Sequence, residues 1–381
     1  MNRTPAASLV KSNLTAFPSL FGTSCRVLFC SLLFIMGGCM SNTAMPVNDT
    51  SAFSYAAISF TPDSQKLVFN RCQESDSCYI HILDLKTKAL SYYRSPADQE
   101  WYAAKISPSG EQVVFVMAPM TSGYLPKEDK NRLYSDFGNA QIAIMDANGS
   151  NVRLLTHSKG YKMAPNFSWS GKKVIFAQGD MRKPGSKTIA SHLDAYEIDL
   201  ENGHIQRLTN FRFFQMGRPS YLPGDKQFVV DGDGPSKFPG IAENDISTID
   251  ILRAFEKKHR NSQFYIFNVG TEAQALEPKF DQLKGAKSSM ADAQGNLYFR
   301  AQPSSADRVK LYRSDTKGSL DSWELPNMQL WFSEISPNGR LFAVISRAVY
   351  PGDLNSIHVF DLAGGKWEEI SLPADANPIK P

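Results

Sequence analysis

The chain has 381 residues, 42% of them hydrophobic, which is ample for a large core in one or two domains. Its 41 basic and 38 acidic residues are spread evenly, and a net charge of +3 leaves no footprint for nucleic acid. No nucleic-acid partner is therefore expected.

Residues 1–38 read as a processing signal. Arg3, Lys11 and Arg26 lie in a polar leader without a single acid, followed by an apolar run over 27–36 that is too short to span a bilayer. The run ends in Met36-Gly37-Gly38-Cys39, which resembles the bacterial lipobox. That resemblance implies an acylated Cys39 as the mature N-terminus, and the lack of an aspartate after it implies sorting to the outer membrane, facing the periplasm. More than one acyl chain makes such anchoring stable. An ordinary secretory signal or an uncleaved anchor is the alternative. Residues 39–54, with Cys39 at their head, are rich in Ser, Asn, Thr and Pro and read as a tether.

Of the five cysteines, Cys25 and Cys30 leave with the signal. Cys72 and Cys78 remain, flanking a short polar stretch where a hairpin would bring them together, and in an oxidising compartment a disulfide is expected. A metal pair is the alternative, with His81 the only histidine nearby.

From residue 55 onward one unit recurs. Its clearest copy is Ser336-Pro337-Asn338-Gly339 followed by the apolar run 341–344, a strand over 356–362 and a closing strand over 367–372. Proline presets the first corner of the turn, and asparagine and glycine tolerate the left-handed backbone at the second. The flanking β-branched and aromatic runs read as strands. Earlier copies open with Thr61-Pro62-Asp63-Ser64, Ser107-Pro108-Ser109-Gly110, Ser168-Trp169-Ser170-Gly171, Leu222-Pro223-Gly224-Asp225 and the shorter Asp292-Ala293-Gln294-Gly295. Third strands follow at 79–85, 141–146, 195–200, 263–269 and 309–315. An aspartate near their ends, at 84, 146, 199, 315 and 361, fits turn capping. The turns stand roughly 45 to 70 residues apart, near the period of propeller blades. A lone four-stranded meander cannot bury both its faces, so six must stack, and radial closure hides most edges. The expected fold is all-β: a six-bladed β-propeller of four-stranded antiparallel blades over residues 55–381.

The strings Ser-Pro-Ser-Gly-x-x-Val-Val-Phe at 107–115, Ile-Asp-Leu-x-x-Gly at 198–203 and Gln206-Arg207-Leu208-Thr209 resemble the repeats of TolB-type six-bladed β-propellers. The resemblance covers about residues 55–373 and implies the same ring. TolB proper carries an α/β domain before its propeller, for which this chain has no room, so what TolB does through that domain is not implied.

Blades two, three and four have longer connections between their second and third strands than the other three, all on the face opposite the turns. Tyr124 and Tyr134 lie in the first of these, and Met181, Arg182 and His192 in the second. The third contains a predicted short helix over 243–259, with Phe255 on its apolar spacing and His259 at its cationic end. Long loops on a rigid scaffold are where binding usually resides. The alternative is that they pack on one another and shield the channel mouth.

The innermost strands offer a second candidate. Lys105, Asn166, Arg218, Lys287 and Glu334 are polar within or beside apolar segments, a placement suited to lining a central channel.

Catalytic signatures are sparse. The chain has no Gly-x-Ser-x-Gly elbow, His-Glu-x-x-His, phosphate loop or dinucleotide fingerprint. Its six histidines are scattered and do not match a histidine-rich metal site such as that of oligogalacturonate lyases, which resemble this propeller family. Asp231-Gly232-Asp233-Gly234 lacks the further acids of a calcium loop and reads as a turn after a strand. No metal and no cofactor is expected. The leading expectation is a monomeric, membrane-anchored, non-catalytic scaffold that binds an envelope protein or a polymer such as peptidoglycan or another polysaccharide. The alternative is a carbohydrate-active enzyme, a lyase or hydrolase, working at the channel mouth.

Overall fold

The computed structural model describes residues 53–73, 78–119, 136–181, 190–235, 263–270, 287–301, 308–326, 329–347, 356–373 and 376–380. They form a six-bladed β-propeller. Blade one comprises β1 (Phe53–Phe60), β2 (Lys66–Gln73), β3 (Cys78–Asp84) and β4 (Leu90–Tyr93). Blade two comprises β5 (Gln99–Ile106), β6 (Gln112–Pro119), β7 (Gln141–Asp146) and β8 (Arg153–Leu154). Blade three comprises β9 (Tyr161–Phe167), β10 (Lys173–Met181), β11 (Ala190–Asp199) and β12 (Ile205–Arg207). The inner strand of blade four is split into β13 (Phe213–Met216) and β14 (Ser220–Tyr221), and β15 (Gln227–Pro235) and β16 (Gln263–Asn268) follow. Blade five comprises β17 (Lys287–Ala291), β18 (Leu297–Ala301), β19 (Lys310–Ser314) and β20 (Leu320–Glu324). Blade six comprises β21 (Gln329–Ile335), β22 (Leu341–Arg347), β23 (Ser356–Asp361) and β24 (Lys366–Ile370). The inner strands touch in the closed order β1, β5, β9, β14, β17, β21 and back to β1.

The recurring turn is built as its residues dictate. Ser64, Gly110, Gly171, Asp225, Gly295 and Gly339 all take positive φ, between 58° and 83°. Glycine does so freely, whereas Ser64 and Asp225 carry strain. The residue that opens the turn caps it. Thr61, Ser107, Ser168 and Ser336 accept the N–H of the residue five places on, at 2.8 to 3.2 Å, and Asp292 does the same four places on. Four of the five aspartates at the ends of third strands accept backbone N–H groups of the following turn, as Asp84 does from Thr87 at 2.8 Å and Asp315 from Ser319 at 2.7 Å, while Asp146 accepts from the Ser150 and Asn151 side chains. These carboxylates are engaged in turn capping.

Every inner strand breaks register midway. In four of them the break falls at a left-handed residue, Ala57, Ala103, Ala164 or Ser288. Such bulges bend a strand and re-aim its side chains. The preceding blade catches the freed groups in two places. Asn70 accepts the Ala103 N–H at 3.1 Å and donates to Trp101 O at 2.8 Å, and Asp231 accepts the Ser289 N–H at 3.1 Å.

The core sits between blades. Fully buried Val113, Phe115, Val174, Phe176, Phe228 and Phe342 come from second strands, where both faces meet neighbouring sheets. Burying each contributes about 1.5–3 kcal/mol. Blade six is completed by its own β24. The ring is then closed by the C-terminus: β25 (Asn377–Pro378) lies parallel to β4 on the outer edge of blade one, and Ile379 donates its N–H to Tyr92 O at 2.8 Å.

Several expectations change. Met181 and His192 are not in a loop, because β10 runs to Met181 and β11 starts at Ala190, its register partner. Asp231 does not follow a strand but lies within β15, paired to Phe264. The helix expected over 243–259 and the blade-two connection 120–135 lie outside the described residues.

Candidate functional site

Aligned on the residue that opens each turn, the inner strands place Ser59, Lys105, Asn166, Ser220, Met290 and Glu334 at one level. All but Met290 are polar. Some bond to the next blade: Ser59 Oγ donates to Ala104 O at 3.1 Å, and Asn166 Nδ2 donates to Ser220 Oγ at 3.1 Å. Glu334 instead reaches across the ring. Its Oε2 accepts from both Lys105 Nζ and Arg218 Nη1.

These three side chains come from blades six, two and four, so they meet only because their strands surround one axis. The Lys105 and Glu334 side chains are each 12% exposed, and Arg218 is 22% exposed. Two cations share one carboxylate in a poorly solvated space. Burial, followed by repulsion from Arg218, lowers the Lys105 pKa to about 8 against the pull of Glu334. With Lys105 protonated the triad holds an excess positive charge, which burial makes easier to lose than on a free lysine, and it ties three alternate blades together.

Lys287 does not join this cluster. It is exposed at the start of β17. Of the residues expected in binding loops, Met181 and His192 lie among the described residues; Tyr124, Tyr134, Arg182, Phe255 and His259 do not.

His192 sits where blades three and four share a strand bridge, Leu193 opposite Phe213. Its Nδ1 is 3.0 Å from Asp180 Oδ2, and the Arg212 guanidinium is 3.1 Å from its ring. Both His192 and Arg212 have left-handed φ, 54° and 53°. Beneath them Asp194 is fully buried, accepts from Thr209 Oγ1 at 2.6 Å and Phe211 N at 2.8 Å, and pairs with Arg207.

Among the other histidines, His81 stacks between Phe69 and Tyr92 with ring centroids 5.8 and 5.5 Å away, and burial lowers its pKa to about 4. His358 Nε2 lies 3.1 Å from Ser346 Oγ. Among the described residues no group of three or more His, Cys, Asp or Glu side chains could hold a metal ion.

Sequence reading missed Ser59, Ser220 and Asp194. The first two could have been found from their place two residues before the turn. Asp194 could not, because nothing local marks it as the hub of its junction.

No protein-family model and no curated protein matches this sequence. Solved structures do share the fold. TolB from Acinetobacter baumannii superposes with a TM-score of 0.56 at 17% identity, over 88% of this chain and 66% of that one. An oligogalacturonate lyase in complex with manganese gives 0.53 at 13% identity, over 83% and 76%. The oligogalacturonate lyase from Vibrio parahaemolyticus gives 0.52 at 11% identity, over 84% and 78%. At these identities the likeness is one of fold: a TolB-like six-bladed propeller.

Proposed function

We propose that this protein is a non-catalytic binding scaffold, anchored by lipid on Cys39 at the outer membrane and facing the periplasm, which engages an envelope protein or a polymer such as peptidoglycan. The observation that carries this reading is the Lys105–Glu334–Arg218 triad. Charged groups committed to one another at the axis make a rigid ring, and they leave recognition to the face with the long connections. The TolB-like fold supports the same reading. Cys72 and Cys78 are opposite one another in the register of β2 and β3, which supports a disulfide in an oxidising compartment.

Crosslinking in the cell envelope tests the scaffold. A partner should be captured, lost when residues 243–259 are deleted, and retained in Lys105→Met. Failure to capture any partner, or retention after the deletion, would sink the idea. Cys39→Ala should release the protein from the membrane fraction.

A second reading, a carbohydrate-active enzyme at the channel mouth, is favoured by the depressed pKa of Lys105 and by the oligogalacturonate lyase likeness in fold. It requires that Lys105→Met abolish turnover of an envelope or plant-type polysaccharide while leaving the fold intact.

A further inference from the structure

Lys287 and Arg300 are direct cross-strand partners, at the start of β17 and near the end of β18. Residues so paired project to one face with Cβ atoms about 5 Å apart, and like charges in that arrangement repel. A protein would normally place an acid between them. Among the described residues neither side chain forms an ion pair.

Among the described residues the guanidinium is held by neutral acceptors. Arg300 Nη1 donates to Leu330 O of blade six at 3.1 Å, and Nη2 donates to Ser288 Oγ at 2.8 Å. Its Nε is buried and finds no acceptor among the described residues. Burial lowers its pKa to about 10, with the charge of Asp231 opposing. Asp231 is itself engaged, since its Oδ1 accepts both the N–H and the hydroxyl of Ser289. Neutral acceptors orient a guanidinium but do not neutralise it, and a buried cation that has only the charge of Asp231 nearby, with no direct ion pair among the described residues, is costly. Lys287, by contrast, is exposed, so its ammonium can swing toward an incoming group. Ser288 between them is in the left-handed bulge of the inner strand. The cluster lies at the end of blade five away from the Asp292 turn, on the face that bears the long connections.

We propose that Lys287, Ser288 and Arg300 form a binding site for an oxyanion, a carboxylate or phosphoryl group, on that face of the ring. The planar guanidinium, already oriented by Leu330 and Ser288, supplies directional donors. The lysine closes over the anion as a mobile point charge. The ligand removes the repulsion that the strand pairing imposes. Lys105 and Arg218 differ in that Glu334 already sits between them. The site stands independently of the scaffold reading, since it requires only a free anion.

Thermal unfolding of the full mature protein tests it, with inorganic phosphate or succinate titrated against sodium chloride at constant ionic strength. At least one of the two should raise Tm saturably above the chloride control, as expected for a ligand that binds only the folded state. Phosphate alone assigns a phosphoryl ligand, succinate alone a carboxylate, and a response to both leaves the shared chemistry. Lys287→Gln, an exposed substitution, should weaken the response about tenfold, the loss expected for one charge-assisted hydrogen bond. Arg300→Gln should abolish it if the variant folds. Lys366→Gln on the exposed edge of blade six should titrate as wild type. No rise above the chloride control, or a Lys287→Gln titration that matches wild type, overturns the site.

Discussion

Two junctions of the ring solve the same problem differently. Blades three and four are consecutive in the chain, and their junction adds a buried polar network to a large apolar core that includes Phe176, Leu193, Phe213 and Phe228. Asp225 accepts the N–H groups of Trp169 and Ser170 at 2.7 and 2.9 Å, Trp169 Nε1 donates to Tyr221 O at 2.9 Å, and Tyr221 donates its hydroxyl to buried Glu197. Asp194 caps the far end. Blades six and one are not consecutive, so no chain joins them there. Their junction is apolar, with Ile58, Leu67, Phe69, Ala343 and Ile345 among its members. The corresponding turn contact is long, Asn338 N to Ser64 Oγ at 3.4 Å. The C-terminal segment makes up the difference: Leu372 and Ala376 pack on the six–one cluster, and Ile379 packs on the cluster between blades one and two. The lesson is that a junction with a covalent crossing can carry buried charge that demands fixed geometry, whereas the seam between chain ends relies on tolerant apolar packing and a clasp.

Four measurements can break or sharpen that contrast. The largest effect is expected at the polar junction. Asp194→Ala strands the Phe211 and Arg212 N–H groups and the Thr209 hydroxyl, and should cost about 3–5 kcal/mol in denaturant unfolding. A loss below 1 kcal/mol would mean that the buried carboxylate is not a hub.

Acid should act on blade one. The folded pKa of His81 is depressed to about 4 from 6.5, so its contribution is fully present above pH 6.5 and is lost as pH falls through 4. The full swing is about 3 kcal/mol, and His81→Phe should flatten it. Because Tyr92 both stacks on His81 and receives the Ile379 N–H, acid should raise hydrogen exchange under the clasp before it touches blades three and four.

Removing residues 376–381 should cost about 2 kcal/mol, from lost strand bonds and Ile379 packing. Exchange should rise in β4 and stay unchanged at the three–four junction. Equal deprotection of both would refute the seam model.

The smallest effect separates two turns. Ser64→Gly relieves a left-handed serine and should gain up to about 1 kcal/mol in Tm-derived stability. Asp225→Gly relieves the same strain but loses the Trp169 and Ser170 contacts, so its sign should be the reverse. Like signs would show that the two seams are equivalent at their turns.

Much of the ring was legible because each blade announces itself locally. Pro-x-Gly turns, apolar runs and a terminal aspartate are short-range signals, and each worked as its chemistry requires. The identities of the axial residues were legible too, since Lys105, Arg218 and Glu334 stood out as charges in apolar strands. Their meeting was not, because it joins Glu334 to positions 229 and 116 residues away and depends on which blades face one another. Lys287, of the same appearance, went to a different place and found Arg300. The clasp was hidden for another reason. Asn377 and Pro378 show neither alternation nor β-propensity, and they pair only because an edge of blade one is there to receive them.

By itself, then, the amino-acid order determined six meanders, their turns and the polar level of their inner strands, because these rest on backbone preferences and hydrophobic alternation within a few residues. Only the tertiary arrangement decided which charges share a carboxylate, which cations are set side by side without an ion pair among the described residues, and how the first and last blades are joined. Those outcomes depend on distances across the ring, and no local pattern encodes them.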